Sequence, residues 1–150
     1  MKKNFKIRII WWIYIVLLWV VVIMKFRGSF SELIARIEST SPGTNYNIIP
    51  FSSIGEQLNH LSEGWARYNL LGNIIPFIPF GLLLPLVTNK ATSFANVISV
   101  GFLFILGIEL FQLITRLGSF DVDDIILNLF GVVIGYIVML FVNTIRGRKQ

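Results

Sequence analysis

Residues 92–142 read TSFANVISVGFLFILGIELFQLITRLGSFDVDDIILNLFGVVIGYIVMLFV, and this stretch decides the fold. It holds two apolar runs, about 92–115 and 124–142. Each run is near the roughly 20 residues that an α-helix needs to cross a bilayer. Only Leu117–Phe120 and the first aspartates separate the runs, so they predict an antiparallel hairpin of two membrane spans.

Two further apolar runs precede this hairpin, and the composition agrees with a membrane location. The 150 residues are 55% hydrophobic and 14% charged, whereas soluble domains carry about 25% charged residues. The first run ends at Lys25-Phe26-Arg27 without a small-residue cleavage site, which indicates an uncleaved anchor. We therefore predict one all-α integral membrane domain over 1–150. Its four transmembrane helices are expected at about 9–26, 69–87, 92–115 and 124–142.

Residues that commonly bind metals or act as nucleophiles are scarce. There is no cysteine, which excludes disulfides, thiolate zinc sites and thiol catalysis, and His60 is the only histidine. We interpret His60 as a solvated residue, assign no metal site and no catalytic residue, and expect no cofactor. The net charge of +5 comes without a basic patch interleaved with aromatic residues. We therefore expect membrane lipid, and not nucleic acid, as a partner.

The charges predict how the bundle is oriented. A cytoplasmic N-terminus places all eight acids on the outer side and eight of the 13 Lys and Arg residues on the cytoplasmic side. Those eight are Lys2, Lys3, Lys6, Arg8, Lys90, Arg146, Arg148 and Lys149. Because Lys and Arg near span ends favour the cytoplasm, we predict a multi-pass protein with both termini cytoplasmic.

The predicted outer loop, residues 27–68, carries two helical patterns. Ser29–Glu32 and Ser53–Glu56 each match a capping box, in which a serine and a glutamate close the first turn of a helix. Apolar residues follow each box at helical spacing, which predicts two short amphipathic helices in the membrane interface. These helices either pack on the outer mouth of the bundle or form a lid over an outward-facing site.

Polar side chains recur near the outer ends of the spans, although an acid at a helix centre costs roughly 2.5–3.5 kcal/mol. Glu109, Gln112 and Arg116 share one helical face, and Asp124 and Asn128 share a face of the next span. The short link between the spans places both faces at one depth. The predicted site is an outward-facing polar pocket formed by Asn69, Asn73, Glu109, Gln112, Arg116, Asp121, Asp124 and Asn128.

A purely structural interpretation of these residues stays open. The aspartates of 121–124 could cap the fourth span and favour its dipole, and Arg116 could pair with one of them. Gly131 and Gly135 form a small-xxx-small face that suits close helix packing. Glu109 fits this interpretation least, because it is predicted to lie about 9 Å inside its span.

Four ordered motifs give a resemblance to a known family. They are Asn47-Ile-Ile-Pro-Phe51, Asn73-Ile-Ile-Pro-Phe-Ile-Pro-Phe-Gly81-Leu-Leu-Leu-Pro85, Glu109-x-x-Gln112 and Asp121-x-x-Asp124-x-x-x-Asn128-x-x-Gly131. In this order and spacing, from about Asn47 to Tyr136, the chain resembles the VanZ-like family. The resemblance implies a small protein of the bacterial cell membrane. The family's namesake is associated with low-level resistance to the glycopeptide teicoplanin, and no established chemistry comes with it.

Three functions remain open. The first is a non-enzymatic envelope protein whose pocket binds a cell-surface ligand: a lipid head group, a lipid-linked cell-wall precursor or the glycopeptide. The second is a membrane-embedded enzyme that acts on an envelope lipid or lipid-linked wall precursor through paired carboxylates. Glu109 and Asp124 would then be acid and base, or oxygen ligands of Mg²⁺ or Ca²⁺. The third is a structural or partner-binding subunit. We favour the first, because no nucleophile–base pair is visible.

Overall fold

The computed structural model describes residues 2–24, 46–88, 93–115 and 118–147. The elements are helix α1 (Lys2–Met24), strand β1 (Tyr46–Asn47), helices α2 (Ser52–Asn59), α3 (Gly64–Thr88) and α4 (Phe94–Thr115), strand β2 (Phe120–Asp121) and helix α5 (Val122–Gly147). Four of these helices, α1, α3, α4 and α5, are long and apolar enough to cross a membrane. The chain is therefore an all-α multi-pass membrane protein, as the sequence predicts.

Each predicted span is a helix, but three of the helices extend beyond their apolar runs. Helix α1 begins at Lys2, α3 begins at Gly64, and α5 continues to Gly147. Hydropathy marks only the part of a helix that lies in hydrocarbon, whereas the backbone hydrogen bonds continue into its polar ends. The predicted end of the first span, residues 25–26, lies outside the described residues.

Helices α3 and α5 make the most extensive helix contact, along a surface that we call the glycine seam (Gly81, Gly131 and Gly135). A Cβ atom at Gly81 would lie 1.9 Å from the carbonyl oxygen of Val132, and one at Gly135 would lie 1.9 Å from that of Ile78. Only glycine fits, because backbone meets backbone. The predicted small-xxx-small face is therefore a packing surface.

Helix α1 packs on α3 through aromatic side chains and one hydrogen bond. The Tyr14 hydroxyl donates to the carbonyl oxygen of Pro76 over 2.8 Å, which gives this polar group a partner inside the bundle. The ring of Trp11 lies against Phe80, which also stacks on Phe104 of α4. Helix α3 continues through Pro76 and its other two prolines, which interrupt the apolar run in sequence but not the helix.

Two short strands that the sequence analysis does not predict join distant parts of the chain at one end of the bundle. Strand β1 pairs with β2 in parallel, with Tyr46 opposite Phe120 and Asn47 opposite Asp121. The pairing places the segment before α2 against the link between α4 and α5. The strand pairing leaves the all-α fold class unchanged, but it determines which polar side chains of these two segments contact each other.

The second predicted capping box is wrong. Helix α2 begins at Ser52 and its N-cap is Phe51, whose own side chain makes no capping hydrogen bond, so Ser53 lies inside the first turn. A carboxylate of α5, Asp123, supplies the acceptors for this turn, and the Ser53 hydroxyl donates to Asp121 Oδ2 over 2.6 Å. The first predicted capping box, Ser29–Glu32, lies outside the described residues.

Candidate functional site

Four carboxylates gather where the two strands meet α2, and we call this region the polar end (Glu109, Asp121, Asp123 and Asp124). Glu109 of α4 is 2% exposed, so it faces the helices, as its spacing predicts. Its Oε2 accepts the backbone N–H of Asp121 over 3.3 Å. Glu109 therefore has a structural partner, although the sequence analysis finds no structural need for an acid at that depth.

Asp123 closes helix α2 from another part of the chain. Its side chain is fully buried; Oδ1 accepts the N–H of Phe51 over 2.6 Å and Oδ2 accepts that of Ile54 over 3.0 Å. The first turn of a helix leaves N–H groups without acceptors, and a carboxylate both accepts from them and favours the helix dipole. Asp123 thus caps α2, whereas the structural interpretation of the sequence assigns it to the fourth span.

Asp121 joins three elements. It precedes α5, and its Oδ1 accepts the N–H of Asp123 over 2.9 Å, so it is the N-cap that the structural interpretation expects. The same oxygen accepts from Asn47 Nδ2 over 3.2 Å, while Oδ2 accepts from the Ser53 hydroxyl. Most of the bonding capacity of Asp121 is therefore used within the fold.

Asp124 lies one helical position further and bonds to a different helix. Its Oδ1 accepts from Asn73 Nδ2 of α3 over 2.5 Å, and Asn73 is buried. Asn47 and Asn73 each begin a copy of the pentapeptide Asn-Ile-Ile-Pro-Phe, so both copies present an amide to an acid of the 121–124 motif. This correspondence identifies Asn47, which the predicted site omits.

Next to these bonds lies a partly open polar cavity of about 500 Å³. Five predicted site residues line it: Asn69, Asn73, Gln112, Asp121 and Asp124. Seven other residues complete the lining: Ser53, Glu56, Gln57, Trp65, Tyr68, Gly118 and Ser119. Most of the additional residues come from 53–68, the segment predicted to pack on the mouth of the bundle or cover it.

The remaining predicted site residues lie elsewhere. Glu109 and Asn128 line a separate cleft of about 10 Å³, which Gln112 connects to the cavity because it lines both. A cleft of this size holds roughly one water molecule. Arg116 lies outside the described residues. His60 is exposed and packs its ring near Trp65, with 5.7 Å between the ring centres.

The cavity wall is acidic and rich in hydrogen-bond acceptors. Glu56, Asp121 and Asp124 supply carboxylates, and no lysine or arginine is among the described residues that line it. Gln57 is buried, and its Oε1 finds no hydrogen-bond partner within the described part of the chain. A buried acceptor without a donor costs about 1–3 kcal/mol. The wall is thus suited to a group that carries N–H or O–H donors.

The same region gives less support for binding a metal ion than for binding a group with hydrogen-bond donors. In residues 2–24, 46–88, 93–115 and 118–147, no group of three or more Asp, Glu or His side chains has the arrangement needed to hold a metal ion. Two of the carboxylates at the polar end, those of Asp121 and Asp123, already accept hydrogen bonds from the segment around β1 and α2.

Four membrane-spanning helices with an acidic cavity at one end define a polytopic helical membrane protein with a polar site. The site is formed by the ends of α3, α4 and α5 together with α2. The chain belongs to the VanZ/LLP1 family, whose model matches residues 11–143. No curated protein and no solved structure gives a significant match to it.

Proposed function

We propose that this chain is a non-enzymatic protein of the bacterial envelope whose cavity opens toward the outer face of the cell membrane. The cavity binds the polar head group of a cell-surface ligand, either a membrane lipid or a lipid-linked cell-wall precursor. Binding at this position accounts for a contribution to teicoplanin resistance, because wall precursors are the targets that a glycopeptide has to reach. The resemblance of the chain's motifs to those of a resistance-associated family supports this last point.

Gln57 is the observation that carries the proposal. A large polar cavity is lined by three carboxylates and by Gln57, whose buried Oε1 has no donor within the described part of the chain. This oxygen has almost no accessible surface, so a ligand in the cavity reaches it only when the Gln57 side chain rotates. Folding alone gives no reason to keep an amide oxygen there, because an apolar side chain of similar size avoids the desolvation cost. A ligand that donates hydrogen bonds supplies the reason.

The experiment compares binding with stability in one variant. Gln57→Leu keeps most of the side-chain volume, so we expect unchanged or slightly higher thermal stability in detergent. We expect about tenfold weaker retention of copurified lipid, measured by native mass spectrometry, because the ligand loses an acceptor worth about 1.4 kcal/mol. The matched control is Asn59→Leu, which makes a similar amide-to-leucine change at an exposed residue of α2 outside the cavity lining. Unchanged lipid retention in Gln57→Leu would contradict the proposal.

The enzymatic alternative gives a different result in the same preparation. An enzyme with Glu109 and Asp124 as acid and base converts a bound lipid or wall precursor, so product accumulates with time when the purified protein is incubated with that lipid. A binding protein leaves the lipid unchanged. Mass spectrometry of the extracted lipids therefore distinguishes the two functions without knowledge of the reaction.

The orientation of the chain in the membrane is part of the proposal, and single introduced cysteines can test it. Because the chain has none, a single cysteine introduced at Ser62 or at Gln150 is the only thiol. We expect a membrane-impermeant thiol reagent to label Ser62→Cys in intact cells and to label Gln150→Cys only after lysis. The reverse pattern would place the cavity on the cytoplasmic side.

A further inference from the structure

An apolar groove of about 430 Å³ runs along the outside of helices α1 and α3. Its lining residues are Val21, Arg67, Tyr68, Leu71, Gly72, Ile75 and Pro76. None of them belongs to the site predicted from the sequence, and several of the apolar side chains are about half exposed. Because α1 and α3 both cross the membrane, this surface faces hydrocarbon and not water.

The groove adjoins the polar cavity at two places. Tyr68 lines both, so a single side chain separates them. The small cleft beside Glu109 shares Val21, Gly72 and Pro76 with the groove, and it shares Gln112 with the cavity. A ligand in the cavity therefore has an apolar surface directly beside it, and an amphiphile can occupy both.

The length of the groove matches one leaflet of a bilayer. From Arg67 to Pro76 it follows helix α3 for roughly 13 Å, at 1.5 Å per residue. Half of the hydrocarbon core is roughly 15 Å thick. The groove begins at the level of the cavity and runs toward the middle of the membrane, which is the course of a lipid chain in the same leaflet.

The charged residues near the groove and the cavity indicate how the parts of the ligand are arranged. Arg67 lies at the cavity end of the groove, where its guanidinium donates to the carbonyl oxygens of Leu61 and Ser62 over 3.0 and 3.1 Å and is thereby held in place. Arginine binds phosphate well, because its donors match two oxygens at once. Beside the groove, the cavity presents carboxylates such as Glu56 and Asp124. An apolar surface with a cation at its outer end thus lies next to an anionic wall.

We propose that the groove holds an acyl chain of a membrane phospholipid whose phosphate lies at Arg67 and whose ammonium group lies in the acidic cavity. Phosphatidylethanolamine has this chemistry. The ligand therefore enters sideways from the leaflet and not from the water. This inference rests on the proposed function, because the head group occupies the same cavity, and it adds the tail, the charge pattern and the route of entry.

The test fills the groove and leaves the cavity intact. The protein is reconstituted in vesicles of equal parts phosphatidylethanolamine and phosphatidylglycerol, extracted, and examined by native mass spectrometry. Wild type is expected to retain phosphatidylethanolamine in preference, and Ile75→Trp to retain about tenfold less. The matched control is Leu103→Trp on α4, which is similarly exposed, lines neither groove nor cavity, and should behave as wild type. Size-exclusion profiles and thermal unfolding check that both tryptophan variants fold.

A soluble head group separates this inference from the proposed function. Glycerophosphoethanolamine has no chains, so it should bind wild type and Ile75→Trp equally. If Ile75→Trp retains the lipid as wild type does while Gln57→Leu loses it, the groove inference is overturned and the proposed function stands. If neither the lipid nor the soluble head group binds wild type, the groove inference is overturned, and the proposed function is decided by the copurified lipid of wild type and Gln57→Leu. A change from dimer to monomer in Ile75→Trp, with lipid retention unchanged, would make the groove an interface between copies and also overturn the inference.

Discussion

Residues 47–51 and 73–77 share the sequence Asn-Ile-Ile-Pro-Phe but have different structures. The first copy begins in strand β1 and ends in a turn, whereas the second forms part of helix α3. Phe51 is 66% exposed and has a left-handed backbone, with φ at 64°, whereas Phe77 is 3% exposed in a regular helix. Identical local sequence therefore does not decide the local structure here.

The surroundings of the two copies account for the difference. In the first copy the N–H of Phe51 goes to the carboxylate of Asp123, which holds the chain in a turn. In the second copy the carbonyl oxygen of Ile74 lies against Gly131 of the glycine seam, which requires the regular helix. Tertiary contacts thus override propensity in both directions, and each copy can be disturbed without the other.

The largest expected effect comes from the surroundings of the second copy. A Cβ atom at Gly131 would lie 2.2 Å from the carbonyl oxygen of Ile74, so Gly131→Ala forces α3 and α5 apart. We expect a loss of about 3 kcal/mol in the free energy of unfolding, since overpacking against backbone has little room to relax. Thermal unfolding in detergent and the yield of monodisperse protein measure it.

The control for this prediction is Gly107→Ala on α4, where an added Cβ atom meets nothing within 4 Å. Alanine is favoured over glycine inside a helix by about 1 kcal/mol, so this variant should be neutral or slightly stabilised. An equal loss in both variants would mean that the seam is not the cause.

The second-largest expected effect comes from the contact between Asp123 and the first copy. Asp123→Asn keeps the shape of the side chain but replaces one acceptor oxygen by an NH₂ group, which faces a backbone N–H of Phe51 or Ile54. We expect a loss of about 2 kcal/mol, because a buried donor is left without a partner. Hydrogen exchange should accelerate in α2 while α3 stays protected. Unchanged exchange in α2 would show that Asp123 is not its cap.

The third effect asks whether Glu109, which lies beside Pro76 and Phe77 of the second copy, serves only the fold. Glu109→Gln retains an oxygen that can accept the N–H of Asp121, so we expect a stability change within about 1 kcal/mol. If the acid also serves the ligand, lipid retention should fall about tenfold, or about 1.4 kcal/mol. Native mass spectrometry and thermal unfolding of the same sample provide both readings. A variant that unfolds easily yet binds normally would restrict Glu109 to a structural role.

The smallest effect is a gain. Phe51→Gly removes a side chain from a left-handed backbone, which relieves about 1 kcal/mol of strain. The greater chain entropy of glycine in the unfolded state offsets part of this relief, so we expect a net stabilisation of about 0.5 kcal/mol. Phe77→Gly is the matching change in the second copy, where the sign is reversed and stability falls, because a buried ring is lost from a helix.

The spans and the shared face of Glu109 and Gln112 could be predicted because each depends on a regular pattern. An apolar run of about 20 residues crosses a bilayer as an α-helix. Helical spacing places Glu109 and Gln112 on one face, and both side chains are buried. The sequence indicates that an aspartate of 121–124 caps the last span, as Asp121 does, but the roles of Asp123 and Asp124 could not be predicted. Asp121, Asp123 and Asp124 have nearly the same local sequence, and their partners lie far away along the chain.

The same reason explains the wrong capping box. Ser53 fits the local pattern, but its hydroxyl bonds to Asp121 only because β1 pairs with β2, a contact that no short sequence window contains. A usable signal did exist for Asn47. It begins the first copy of a pentapeptide, and the asparagine of the second copy, Asn73, belongs to the predicted site.

The pairing of Tyr46 with Phe120 sets an order of assembly during synthesis. Chains emerge N-terminus first, so α1, the segment around β1, α3 and α4 reach the membrane before β2 exists. Contacts between residues so distant in sequence form late, because a long loop has to close first. The acceptors of Phe51, Ile54 and Ser53 arrive only with Asp121 and Asp123, at the start of the last helix. A cavity with its full wall therefore exists only in chains whose last helix, α5, is already inserted, so ligand binding is a sign that insertion and folding are complete.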